Sequence, residues 1–179
     1  MNPAANLILI GPMGAGKSCI GRRLAERCGL RLTDADREIE QRTGASVATI
    51  FACEGEAGFR ARERAILREL LAGEGLVLAT GGGAVLDADN RQLLRTRGFV
   101  VHLHVSPQQQ LERLARDTTR PLLAREDRDA VLEELALARE PLYAETADLR
   151  FDTGHLCAEE ATAELARVLQ TRWQRGATA

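Results

Sequence analysis

Short apolar runs alternate with longer stretches of helical period along the whole chain, an arrangement that predicts an α/β domain built on a parallel sheet. The runs predict strands near Leu7–Ile10, Leu30–Thr33, Leu76–Thr80, Phe99–Val105 and Leu149–Asp152, with helices between them. From Glu54 to Leu71 the residues Phe59, Ile66, Leu67, Leu70 and Leu71 fall at offsets 0, 7, 8, 11 and 12. That is one stripe of a 3.6-residue helix, and the arginines of the segment lie mostly on other faces. Glu126–Tyr143 and Ala158–Trp173 have the same character, and Pro107 stands where the first turn of another helix would begin. No internal repeat, low-complexity tract or linker divides the chain, so residues 1–179 are read as a single domain. One segment, Asp117–Arg128, DTTRPLLAREDR, fits neither period; charged, with a proline and set between two helices, it is a candidate lid.

Composition narrows the class. Of 179 residues 45% are hydrophobic and 28% charged, which suits one compact core, and the 3% of aromatic residues leave that core to Leu, Ile, Val and Ala. So few aromatics argue against stacking on nucleic-acid bases, and a net charge of −2 without a basic stripe argues against a phosphate-backbone binder. No apolar run approaches the roughly 20 residues of a membrane span, and the start of the chain lacks the charged-then-apolar pattern of a secretory signal. A cytoplasmic monomer, without nucleic-acid or membrane partners, is expected. Cys19, Cys28, Cys53 and Cys157 are scattered with no CxxC pair, so neither a zinc site nor a disulfide framework is indicated. His102 and His104 alternate on the fourth predicted strand with no third ligand nearby, and are read as buried or edge-strand histidines.

Charge becomes informative when its two carriers are separated: 23 of the 24 basic residues are arginine, and the single lysine is Lys17. It lies in Gly11-Pro-Met-Gly-Ala-Gly-Lys17-Ser18, a match to G-x-x-x-x-G-K-[ST] directly after a predicted strand and before a helical pattern. Glycines let the backbone wrap a polyphosphate with successive N–H groups pointing inward, and the following helix adds its positive end. Gly14, Ala15, Gly16, Lys17, Ser18 and Cys19 are therefore the candidate ATP contacts, with Lys17 on the β- and γ-phosphates and the Ser18 hydroxyl on Mg²⁺. Average composition gives such a match by chance in about one chain of this length in 200. An arginine at position 17 would offer a wide planar fork where a narrow ammonium is needed.

The remaining acidic and glycine motifs extend this site. With one lysine in the chain no Asn-Lys-x-Asp guanine-recognition pattern exists, and the third strand runs into Gly81-Gly82-Gly83 instead of a Walker B acid. The second strand leads into Asp34-Ala-Asp36, two carboxylates that share a face if the strand continues through them. One of the pair suits Mg²⁺, the other a proton or hydrogen bond from an attacking hydroxyl; the competing reading is a helix cap and a first-turn acid. Open α/β sheets bind ligands along the carboxyl edge, where Lys17, Asp34, Asp36 and Gly81–Gly83 all fall. Three consecutive glycines give a ligand close approach to the backbone.

These motifs together resemble the shikimate kinase family over roughly residues 7–170. The resemblance rests on GPMGAGKS, on DAD at 34–36, on IFxxxGExxFRxxE from Ile50 to Glu63, on GGG at 81–83, on RPLL from Arg120 and on REPLY from Arg139. It implies a nucleoside-monophosphate-kinase-like fold with a five-stranded parallel sheet ordered 2-3-1-4-5. It also implies transfer of the ATP γ-phosphate to the 3-hydroxyl of shikimate, with Mg²⁺ as cofactor. By the resemblance, a helical region near residues 35–63 binds the acceptor, and Asp36, Arg60, Gly81, Gly82, Gly83 and Arg139 are acceptor contacts. Arg113 and Arg120 are nucleotide-side lid residues, and Asp34 is the Mg²⁺-side acid. Lys17, Asp34 and Arg120 are the implied catalytic groups. Two departures stand out: Cys19 replaces a common threonine, and the stretch after Asp152, TGHLCAEE, matches poorly. A kinase of another hydroxylated acid such as gluconate, or a nucleotide-binding regulator without catalysis, are the competing readings.

Overall fold

Five four- to six-residue strands carry the sheet, and all pair in parallel in the order β2-β3-β1-β4-β5. They are β1 (Leu7–Ile10), β2 (Arg31–Asp34), β3 (Leu76–Ala79), β4 (Phe99–His104) and β5 (Leu149–Asp152) in a computed structural model that describes residues 5–115 and 127–173. The fold class and strand order expected from the sequence are those found. The central strand β1 is buried on both faces: Leu7 and Leu9 join one apolar cluster, Ile8 and Ile10 the other. This is why its run is continuously apolar and does not alternate.

Seven α-helices flank the sheet among the described residues: α1 (Lys17–Cys28), α2 (Ala35–Thr43), α3 (Val47–Leu70), α4 (Ala88–Arg97), α5 (Pro107–Leu114), α6 (Arg128–Thr146) and α7 (Ala158–Arg172). Helices α1 and α7 cover one face; α3 supplies most of the other, with smaller contributions from α2, α4 and α6. The apolar stripe read in the sequence is the buried face of α3, where Phe59, Ile66, Leu67, Leu70 and Leu71 are all buried. The helix starts seven residues earlier than the stripe suggests, at the Ser46 cap, and Gly55 (φ 69°, ψ −176°) interrupts it. Two helical pieces joined at a left-handed glycine read in sequence as one helix and a loop. At α5 a capping box between Ser106 and Gln109 spans Pro107, which stands at the first helical position as the sequence predicts.

An alternative left open by the sequence is decided here. The second strand does not continue through Asp34-Ala-Asp36: it ends at Asp34, whose Oδ1 caps α2 by accepting from the Arg37 N–H at 3.3 Å, while Asp36 sits in the first helical turn, the cap and first-turn acid of the second reading. The cap competes for the backbone and wins, so the two carboxylates reach the edge of the sheet from a strand end and a helix start. The candidate lid, including Arg120, lies outside the described residues apart from its last two positions, 127–128.

Candidate active site

The loop between β1 and α1 wraps because its glycines adopt positive φ, Gly14 at 77° and Gly16 at 89°. Gly16 is the N-cap of α1 and offers no side chain, so the first-turn N–H groups point out of the loop without a side-chain partner. Ala15 is buried, Cys19 is exposed, and Lys17 folds over the loop, its Nζ donating to the carbonyls of Gly11 (2.7 Å) and Pro12 (2.8 Å). The loop is braced from behind: Gln110 of α5 donates to the Met13 carbonyl at 2.8 Å, and the Thr153 hydroxyl lies 3.3 Å from the Ala15 carbonyl. Arg113 donates to the carbonyl of Gly14 (3.0 Å), to the Thr153 hydroxyl (3.1 Å) and to the Thr153 carbonyl. A cleft of about 260 Å³ beside the loop is bordered by Gly14, Gly16, Arg113, Thr153, Leu156 and Cys157, so the poorly matching stretch after Asp152 does reach the loop.

Asp34 and Ser18 meet across the mouth of the loop, with the Ser18 hydroxyl 2.5 Å from Asp34 Oδ2. A hydroxyl and a carboxylate oxygen suit a hard divalent cation. Among the described residues no group of three or more His, Cys, Asp or Glu side chains can enclose a metal. The pair therefore fits a cation that arrives with phosphate oxygens as its other ligands.

The triple glycine is the point on which the other candidates converge. A methyl group on Gly81 would lie 2.8 Å from Asp36 Oδ1 and 2.9 Å from Glu63 Oε1; one on Gly83 would overlap the Arg60 guanidinium. At Gly82 the nearest atoms to such a methyl would be Arg139 Nη1 at 3.5 Å, the Gly11 carbonyl at 3.6 Å and the Met13 N–H at 3.7 Å. Acceptor-side arginines and acids thus stand against the phosphate loop across one glycine turn. Arg139 also borders a cavity of about 520 Å³ between α5 and α6, which none of the other expected site residues lines.

Two residues of this crevice had no role in the sequence reading. Glu63 has no exposed surface, accepts from Arg60 Nη1 at 2.7 Å, and leaves its Oε1 without a hydrogen bond. Burial pushes its carboxyl up from the usual range; the Arg60 charge pulls against that and Asp36 adds to it. The signal was present in the α3 stripe, where position 63 sits four residues after Phe59 and is the one polar side chain on a buried face. Tyr143, the only tyrosine, donates its hydroxyl to the Gly82 carbonyl at 2.6 Å, and burial raises its pKa to about 12. It follows Arg139 by four residues and so shares its helix face. Phe59 is core; Phe51, half-buried and stacked on it at 4.6 Å between centroids, is the ring nearer the surface.

A central parallel strand running into a glycine-wrapped loop, with the 2-3-1-4-5 order around it, defines a P-loop kinase fold. The shikimate kinase family pattern matches residues 13–170. The chain belongs to the shikimate kinase family. It is 60% identical over 175 residues to a shikimate kinase of Stenotrophomonas maltophilia (strain R551-3), covering 98% of this chain and 97% of that one. It is 56% identical over 178 residues to one of Xanthomonas campestris pv. campestris, covering 99% of each. The solved shikimate kinase from Acinetobacter baumannii in complex with shikimate superposes with a TM-score of 0.90 at 44% identity and 95% coverage of each chain. No helix of the described residues is long and apolar enough to cross a membrane.

Proposed function

We propose that this chain transfers the γ-phosphoryl group of ATP to the 3-hydroxyl of shikimate, giving shikimate 3-phosphate and ADP. The observation that carries the reading is the convergence of two guanidinium groups and two carboxylates on Gly81–Gly83, beside the phosphate loop. Shikimate has the matching chemistry, one planar carboxylate and three hydroxyls on an apolar ring. Arg60 and Arg139 hold the carboxylate through paired N–H groups, and Asp36 accepts hydrogen bonds from ring hydroxyls. Glu63 keeps Arg60 aimed, Gly81, Gly82 and Gly83 bring backbone groups close, and Phe51 offers the ring an apolar wall.

On the nucleotide side the N–H groups of Gly14, Ala15 and Gly16 cradle the phosphates, with Cys19 and Arg113 at the edge of the loop. Ser18 and, through water, Asp34 would hold Mg²⁺. That cation, when bound, neutralises charge on the β- and γ-phosphates. The acceptor oxygen forms its bond to the γ-phosphorus as the bond to the ADP oxygen breaks, and the hydroxyl proton passes to the Asp36 carboxylate. Lys17 stabilises the charge that passes to the departing oxygen. Arg120 takes its role, a charge brought onto the transferring group as the 117–128 lid excludes water, from the resemblance alone. A monomer acting in the cytoplasm completes the proposal.

ADP release measured with shikimate, with gluconate and with no acceptor tests the reading. Turnover is expected with shikimate alone; a rate indifferent to shikimate overturns it.

A further inference from the structure

His102 is a buried titratable ring that the reaction does not use. It lies on β4 opposite Ile10, the residue that leads into Gly11, and has no exposed surface. Its Cδ2 stands 3.4 Å from where a Gly11 methyl would project. Its other side is covered by Tyr143, with ring centroids 4.7 Å apart and planes at 25°. Tyr143 in turn donates to the Gly82 carbonyl, and Arg139 Nη1 stands 3.5 Å from where a Gly82 methyl would project. A continuous line of contacts therefore runs from the start of the phosphate loop through His102 and Tyr143 to the glycine turn and Arg139.

We propose that His102 is a positioning residue for the acceptor: its ring fixes the plane of Tyr143, and Tyr143 fixes the Gly82 carbonyl, beside which the Arg139 guanidinium stands. The inference rests on the assignment of Gly82 and Arg139 to the acceptor given above. The ring acts through its faces. Both nitrogens are buried without a hydrogen bond, and Nε2 is 3.9 Å from Glu140 Oε2, beyond hydrogen-bond range. Burial, helped by His104, Arg150 and Lys17, lowers its pKa to about 3, so the ring brings no charge toward Lys17. A flat neutral ring can hold a tyrosine plane in a way that a branched aliphatic side chain cannot.

Steady-state kinetics on His102→Leu, His102→Phe, Tyr143→Phe, the His102→Leu/Tyr143→Phe pair and Arg139→Lys test this. His102→Leu should raise KM for shikimate roughly three- to ten-fold, the size of effect a lost aromatic stack carries, with KM for ATP within about two-fold. His102→Phe should restore the shikimate KM. Tyr143→Phe should show the same selective rise, and the double variant should be no worse than the weaker single, because both changes cut one line of contacts. Should the leucine variant not fold, His102→Met, a flexible filler of the same site, takes its place with the same expectation. Equal rises in both KM values, an unchanged shikimate KM, no rescue by phenylalanine, or multiplying effects in the double variant would each overturn the proposal. Arg139→Lys separates the two layers: if it raises the shikimate KM while His102→Leu does not, only the role of His102 fails. If Arg139→Lys also leaves that KM unchanged, the acceptor assignment itself fails, and the proposal with it.

Discussion

Ser18 and Asp34 share a hydrogen bond of 2.5 Å between hydroxyl and carboxylate, joining the first turn of the helix after the phosphate loop to the end of β2, with β3 between that strand and β1. The same carboxylate uses its other oxygen to cap α2. Asn at this position can still cap, but carries no charge. Asp34→Asn should therefore fold with a melting temperature close to native, while turnover falls about 10- to 100-fold and the Mg²⁺ concentration for half-activity rises. A magnesium titration of initial rates checks this. Native magnesium dependence in the variant would remove Asp34 from the metal side.

Lys17→Arg should preserve the fold and lose about 100-fold or more in turnover. The ammonium that reaches the carbonyls of Gly11 and Pro12 at 2.7 and 2.8 Å is narrow enough for the loop, and a guanidinium is not. Circular dichroism and kcat on the same preparation separate folding from chemistry.

Gly83→Ala makes a sharper prediction because its collision is with the tip of a flexible side chain. Gly83 has φ −98°, which alanine tolerates, and the new methyl meets only the Arg60 guanidinium. Stability should fall by about 1–3 kcal/mol, because displacing Arg60 loosens its pair with the buried Glu63, while KM for shikimate rises about ten-fold. The KM for ATP should stay near native. A thermal melt and paired KM measurements decide it.

His102 also sets a pH dependence. Its folded pKa of about 3 lies below the 6.5 of the free side chain, so between those values the unfolded chain binds a proton that the folded one does not. Stability associated with this residue is complete above about pH 6.5 and is lost as pH falls toward 3, at up to about 1.4 kcal/mol per pH unit. Chemical denaturation from pH 7 to 5 should show a shallower decline for His102→Phe than for the native chain. Parallel curves would mean that the native ring is protonated at mild acidity.

Much of this is legible in the amino-acid sequence. The strands and the phosphate loop announce themselves because an apolar run buried on two faces and a glycine-lysine loop have few other uses. Asp34 and Asp36 were legible as residues but not as geometry: their spacing fits a strand face as well as a cap and first turn, and only the competition for the Arg37 N–H decides. Glu63 was legible as a polar position on the buried α3 stripe, but not as part of the crevice. Its place there depends on the loop after β3 bringing Gly81 against it, a contact between distant parts of the chain. Tyr143 needed the same long-range fact, the arrival of Gly82 beneath its hydroxyl.

The brace behind the phosphate loop has a consequence for the order of assembly. Residues 14 and 15 are held by Arg113 and by Thr153, whose hydroxyl reaches the Ala15 carbonyl across 138 positions of sequence. β1 itself needs β3 and β4 on either side. The nucleotide motif is therefore made long before the strand that braces it, and it cannot take its final shape until that fifth strand has docked. Nucleotide that binds only the braced loop stabilises the fold in which the fifth strand is already in place.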